Sequence, residues 1–209
     1  MRALVLAFAV LLTMPREPLA ATEDPWAAIA ALRGRIESAS PLAAEFVQTF
    51  VATGFTTGDS ESGQVYLDLP ACLRWDYGGD FPNSFLLCGH LAHGWNHGEK
   101  SGRRQFLSRD DEPGLDLLRL EVEELRKRYK ARLVGLSGDL TVIELTAAGD
   151  EITEVRDATM IFAPGEPGLR SLDYHDLEGN LTRFAFSTYR PVEEQGIFAP
   201  PADLEWIQD

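Results

Sequence analysis

Apolar–polar alternation, repeated along most of the chain, is the feature that most restricts its fold. In "GQVYLDLP" Val65, Leu67 and Leu69 fall on one side, and Gln64, Tyr66 and Asp68 on the other. "AEFVQTFVAT" sets Phe46, Gln48 and Phe50 on one side. A period of two marks a strand with one buried face. "LTVIELTA", "VRDATMIFA", "LRSLDYHD" and "LTRFAFSTYR" continue the pattern, separated by Gly-Asp, Pro-Gly and Glu-Gly-Asn turns. An antiparallel sheet of such strands must have its apolar face covered. Two segments supply cover. "TEDPWAAIAALRGRIESAS" predicts a helix that Asp24 can cap, with Pro25 suited to its first turn. Trp26, Ile29, Leu32, Arg33 and Ile36 recur three or four apart in it, so the apolar members form one stripe. "EPGLDLLRLEVEELRKRYKARL" predicts one or two short helices between Pro113 and Tyr129, offering Leu117, Leu118, Leu125 and Tyr129 as apolar contacts. That is little cover for so large an apolar face. Either an ordinary filled core or a hollow for a greasy guest satisfies the pattern.

The stretch "LDLPACLRWDYGGDFPNSFLLCGH" is the most regular part. Folded about Asp80, it sets Cys72 against Cys88, Leu73 against Leu87 and Trp75 against Phe85. Directly opposed cysteines lie within disulfide reach in an oxidising compartment. Packing as two free, small apolar thiols is the alternative.

The beginning of the chain reads differently. Arg2 precedes the unbroken apolar run "ALVLAFAVLLTM", and small residues follow at Ala20 and Ala21. This is the pattern of a secretory signal peptide over residues 1–21, with a single domain over 22–209. The run is too short for a membrane span, which needs about 20 residues. No cysteine follows it closely, as lipid attachment would require, so the expected product is released and soluble. The formal charge is −14, and removing Arg2, Arg16 and Glu17 with the leader leaves about −15. Such a chain is repelled by nucleic acid and by anionic lipid surfaces.

Taken in order, "AEFVQTF", "SGQVYLDLPACLRWDY", "EPGLDLL", "SLDYHDLEGNLTRFAFS" and "IFAPPADLEWI" resemble the periplasmic outer-membrane lipoprotein carrier family, LolA. The matching positions are Phe46 and Gln48; Ser62, Gly63 and Val65; Pro70, Arg74 and Trp75; Asp176, Gly179 and Thr182; and Phe198, Pro200 and Pro201. The resemblance implies a mainly β fold: a strongly curved antiparallel sheet, or incomplete barrel, whose concave apolar face is closed by short helices. It implies a monomeric periplasmic carrier that does no covalent chemistry and uses no cofactor. Lipoproteins would be taken from an inner-membrane ABC exporter and passed to an outer-membrane acceptor. The lipid-binding trough would draw on Phe46, Phe50, Val65, Leu67, Leu69, Leu73, Trp75, Phe85, Leu87, Leu117, Leu118, Phe184 and Phe186. The chain departs from the family at one telling place. Where the family carries an arginine that bonds the lid, before the proline of the second motif, this chain has Leu69. Arg74 neighbours Trp75, so strand parity points it to the other face. The departure keeps a second cargo in play, a different lipid or glycolipid on the same fold.

Other chemistry reads weakly. "HLAHGWNHGE" gathers His90, His93, His97 and Glu99. On a strand His93 and His97 share a face while His90 points away, and the spacing matches neither a zincin nor a finger. Solvent-exposed turn histidines are the expectation, with a periplasmic metal-binding protein as the remote alternative. No Gly-x-Ser-x-Gly elbow supports a hydrolase.

Overall fold

The computed structural model describes residues 24–107, 116–119, 121–137, 139–149 and 154–208. The expected leader and its cleavage site lie outside them. Helix α1 (Pro25–Ala39) begins where Asp24 accepts a hydrogen bond from the Trp26 amide, with Pro25 at its first position. Six strands follow: β1 (Leu42–Val51), β2 (Asp59–Asp68), β3 (Cys72–Tyr77), β4 (Asn83–Cys88), β5 (Leu91–Asn96) and β6 (Ser101–Phe106). Two short helices, α2 (Asp116–Arg119) and α3 (Val122–Arg128), interrupt the strands. Then come β7 (Tyr129–Ser137), β8 (Leu140–Ala147), β9 (Val155–Phe162), β10 (Leu169–Asp176), β11 (Leu181–Pro191) and β12 (Glu205–Gln208).

All twelve strands join one open sheet in the order β12-β6-β5-β4-β3-β2-β1-β11-β10-β9-β8-β7. The pairings are antiparallel except the last edge, where β12 runs parallel to β6. The alternation in the sequence accounts for which face is buried. Val65, Leu73, Trp75, Phe46, Leu172, Met160, Ile143 and Leu145 are all buried toward one side, the concave one. The stripe of α1 (Ile29, Leu32, Ile36) and the α2–α3 residues Leu117, Leu118 and Leu125 pack into the same cluster. The fold is therefore a curved sheet roofed on its hollow side by three helices.

The β3–β4 hairpin pairs Cys72 with Cys88, Leu73 with Leu87 and Trp75 with Phe85, the register given by symmetry about Asp80. Cys72 and Cys88 form a disulfide across it.

Two features were not legible beforehand. β12 is too short to show a period, and its parallel pairing depends on the return of the C-terminal segment across the outer face. His93, expected among exposed turn histidines, is 8% exposed instead. That same segment brings Trp206 onto it, edge to face at 4.8 Å.

Candidate functional site

The part of the concave face that carries most of the expected trough residues is built from β1, β2, β3, β4 and β11, whose inward positions alternate as period two requires. Phe46 stands at its centre. It meets Trp75 edge to face at 4.7 Å and Tyr77 at 5.0 Å. Trp75 lies 4.9 Å from Phe184, and Phe184 stacks on Phe186 at 5.9 Å. Val65, Leu67, Leu69 and Leu73 extend this aromatic nest. Leu87 belongs to a smaller cluster with Ala92 and Leu107, and half-buried Phe85 touches both clusters. Leu117 and Leu118 of the roof belong to the same buried cluster as the nest. Phe50 shares the parity of Phe46 but stands near the end of β1, 45% exposed.

Two polar groups interrupt the greasy interior. Trp75 Nε1 and Arg33 Nε are both buried, and neither has a hydrogen-bond partner among the described residues. Arg33 projects from α1 within its apolar stripe, and its Nη2 donates to the Leu117 carbonyl of α2 at 3.0 Å. Burial pushes its guanidinium below the ordinary arginine value, while Glu121 and Glu37 oppose the shift. It remains charged, as arginine does in proteins. A helix-borne arginine thus ties two roof elements together, while Leu69, in the turn just after β2, is apolar and 7% exposed. Sequence reasoning missed Arg33, although a charged residue inside an apolar stripe was the available signal.

The outer face of β3–β6 has its own cover. Arg74 donates through Nε to Asp76 Oδ1 at 2.8 Å and through Nη1 to the Ile197 carbonyl at 2.8 Å. Its guanidinium lies 5.2 Å from the centre of the Trp95 ring. Trp95 meets Trp206 edge to face at 6.0 Å. A Cβ on Gly102 would stand 2.5 Å from the Trp206 ring, so only glycine lets the tail lie this close.

The histidines do not assemble. His90 is exposed in the β4–β5 turn, His93 is buried under Trp206, and His97 Nε2 pairs with Ser84 Oγ at 2.8 Å. Among the described residues no three His, Cys, Asp or Glu side chains are grouped to hold a metal ion. The basic run on α3 is a solvated face, with Lys127 on Glu124 at 2.6 Å and Arg126 near Asp24 at 3.4 Å.

Residues 37–198 match the family described as outer membrane lipoprotein carrier protein LolA. A protein of Nitrosospira multiformis named outer-membrane lipoprotein carrier protein is 25% identical over 187 residues, covering 87% of this chain and 88% of its own. Among solved structures, an uncharacterized conserved protein from Thermus thermophilus superposes with a TM-score of 0.55 at 10% identity, covering 87% of this chain and 99% of its own. A LolA superfamily protein from Nitrosomonas europaea gives 0.44 at 11% identity, covering 82% and 97%. The chain belongs to the LolA family.

Proposed function

We propose that this member of the LolA family is a periplasmic carrier, exported by a leader over residues 1–21. It holds the acyl chains of lipoproteins against its concave face and shuttles them from an inner-membrane ABC exporter to an outer-membrane acceptor. It works by binding and release, without a covalent step. The supporting observation is the pair of buried donors, Trp75 Nε1 and Arg33 Nε, that have no acceptor among the described residues and lie in a largely apolar interior. An unmade hydrogen bond of this kind costs about 1–3 kcal/mol. A core meant only for itself gains nothing from two of them. The ester and amide carbonyls of an acylated amino terminus are acceptors that arrive with hydrocarbon attached.

The driving force is ordinary. Each methylene taken from water gains about 0.8 kcal/mol, so a sixteen-carbon chain carries roughly 12 kcal/mol of incentive to find cover. Loading requires the roof to give way: Leu117, Leu118 and Leu125 leave the aromatic nest as α2 and α3 lift, and acyl chain replaces them. Arg33 then loses the Leu117 carbonyl and faces the guest. Open and closed roofs are two populations, and cargo shifts the balance by binding one of them.

Leu69 favours a second reading, a carrier of a different lipid or glycolipid, because it makes the interior greasier where the family carries a charge. Native mass spectrometry of the protein purified from its own periplasm separates the two. Co-purifying lipoprotein supports the first, free lipid or glycolipid the second, and an empty protein that also ignores a fluorescent fatty acid overturns both. Leu69→Arg is expected to weaken fatty-acid binding; equal or tighter binding removes Leu69 from the trough.

A further inference from the structure

One row of cross-strand neighbours runs from the roofed interior into the open. Val65 pairs with Trp75, Trp75 with Phe85, Phe85 with Gly94, Gly94 with Arg103, and Arg103 with Ile207. All of these share the concave face, since direct partners in a sheet point the same way. Exposure rises along the row: Val65 and Trp75 are buried, Phe85 and Gly94 half-buried, Arg103 and Ile207 exposed. With strands about 4.8 Å apart, Arg103 stands roughly 14 Å from Trp75.

The outer half of the row floors a groove of about 470 Å³, bounded by Asn83, Asn96, Glu99 and Ser101 beside Phe85 and Arg103. Its floor is held open at Gly94, where an added Cβ would find no heavy atom within 4 Å. The groove carries two amides, two serines and one charge of each sign, set among the apolar Trp95 and Ile207, with Phe85 at its inner end. That mixture suits neither bare hydrocarbon nor a strongly charged anion. It suits a short length of polypeptide, whose backbone offers donors and acceptors in turn.

We propose that this groove is a second subsite, which receives the first residues of the polypeptide attached to the acyl chains. The inference rests on the carrier reading above. Phe85 is the threshold: hydrocarbon lies on its Trp75 side and peptide on its Gly94 side. Cargo selection then has two parts, a greasy one shared by any lipid and a polar one reserved for lipopeptide.

Gly94→Phe tests this, because a Cβ there has open space, the new ring would occupy the groove between Phe85 and Arg103, and phenylalanine suits a strand better than glycine does. Three fluorescent probes with matched acyl chains are titrated: a fatty acid, a zwitterionic phospholipid and a synthetic lipopeptide with a short neutral peptide. The expected result is a loss of about tenfold or more for the lipopeptide, a difference of at least 1.4 kcal/mol, with the other two unchanged. Should Gly94→Phe fail to fold by circular dichroism, Arg103→Ala reads the same selectivity through a lost contact instead of a plug. A lipopeptide unaffected by the variant, or a phospholipid weakened as much as the lipopeptide, overturns the peptide subsite. Failure of the wild-type protein to bind even the fatty acid overturns the carrier reading instead.

Discussion

β3 and β4 carry buried side chains on both faces, Trp75 and Leu87 inward and Ser84 and Leu86 outward, but the two covers are of different kinds. On the outer face the C-terminal segment is fastened by backbone. β12 runs hydrogen-bonded beside β6, the Glu205 amide donates to the Lys100 carbonyl at 2.9 Å, and Arg74 grips the Ile197 carbonyl. On the inner face α2 and α3 share no strand ladder with the sheet among the described residues; they are held by side-chain packing, by Arg33 on the Leu117 carbonyl, by Arg119 on the Gly89 carbonyl and, at the end of α3, by the Ala148 amide on the Arg128 carbonyl. A ladder adds main-chain bonds that must all break before the tail can lift. A short packed helix can lift while the sheet stays whole, because local openings draw on few contacts. The same apolar chemistry is thus sealed on one side and accessible on the other.

The contrast can be broken most directly by removing the outer cover. Truncation after Val192 strips Trp206 from His93 and Trp95 and removes the Ile197 carbonyl from Arg74. A fall in thermal midpoint of roughly 10 °C or more is expected by calorimetry. An unchanged midpoint would make the tail an ornament. Hydrogen exchange followed by mass spectrometry sharpens the comparison next. Amides of α3 are expected to exchange about a hundredfold faster than those of β4 and β5, through opening that leaves the sheet protected. Equal protection would mean a roof that moves only with global unfolding.

A smaller effect is expected from Arg33→Met. Losing the Leu117 contact is offset by no longer burying a charge with an unmet donor, so global stability shifts by no more than about 1 kcal/mol. Exchange in α2 still rises, because the roof has lost its tie. A large stability loss would make Arg33 a structural pillar and not a latch. The smallest effect concerns pH. Burial, aided by Arg104, holds the His93 imidazole below the ordinary histidine value. The unfolded chain therefore takes up a proton first as pH falls. Stability from the neutral ring is complete above about pH 6.5 and erodes below it, down to the folded value. His93→Gln should flatten that part of the stability–pH curve in chemical denaturation; an unaltered slope assigns it to other groups.

Much of the architecture was readable because period two is a strong signal. Val65, Leu67 and Leu69 announce their face without help from the rest of the chain, and the symmetry about Asp80 fixes a register from local residues alone. The family motifs added the order of elements. What stayed hidden depends on distant segments meeting. Arg33 looks like a helix charge until α2 is laid across it. His93 looks exposed until Trp206 arrives from more than a hundred residues away. The groove at Gly94 spans β4, β5, β6 and β12: its first three strands are consecutive in the chain, but its outer wall at Ile207 arrives only with the C-terminal segment.

The bond between Cys72 and Cys88 ties the strand that carries Trp75 to its neighbour. A closed loop of this size raises the free energy of the unfolded chain by about 3 kcal/mol in the chain-entropy view. Copies retained among reducing thiols would lack that strap. Such strays would be the softer ones, easier prey for proteolysis, so the molecule carries its own penalty for being in the wrong place.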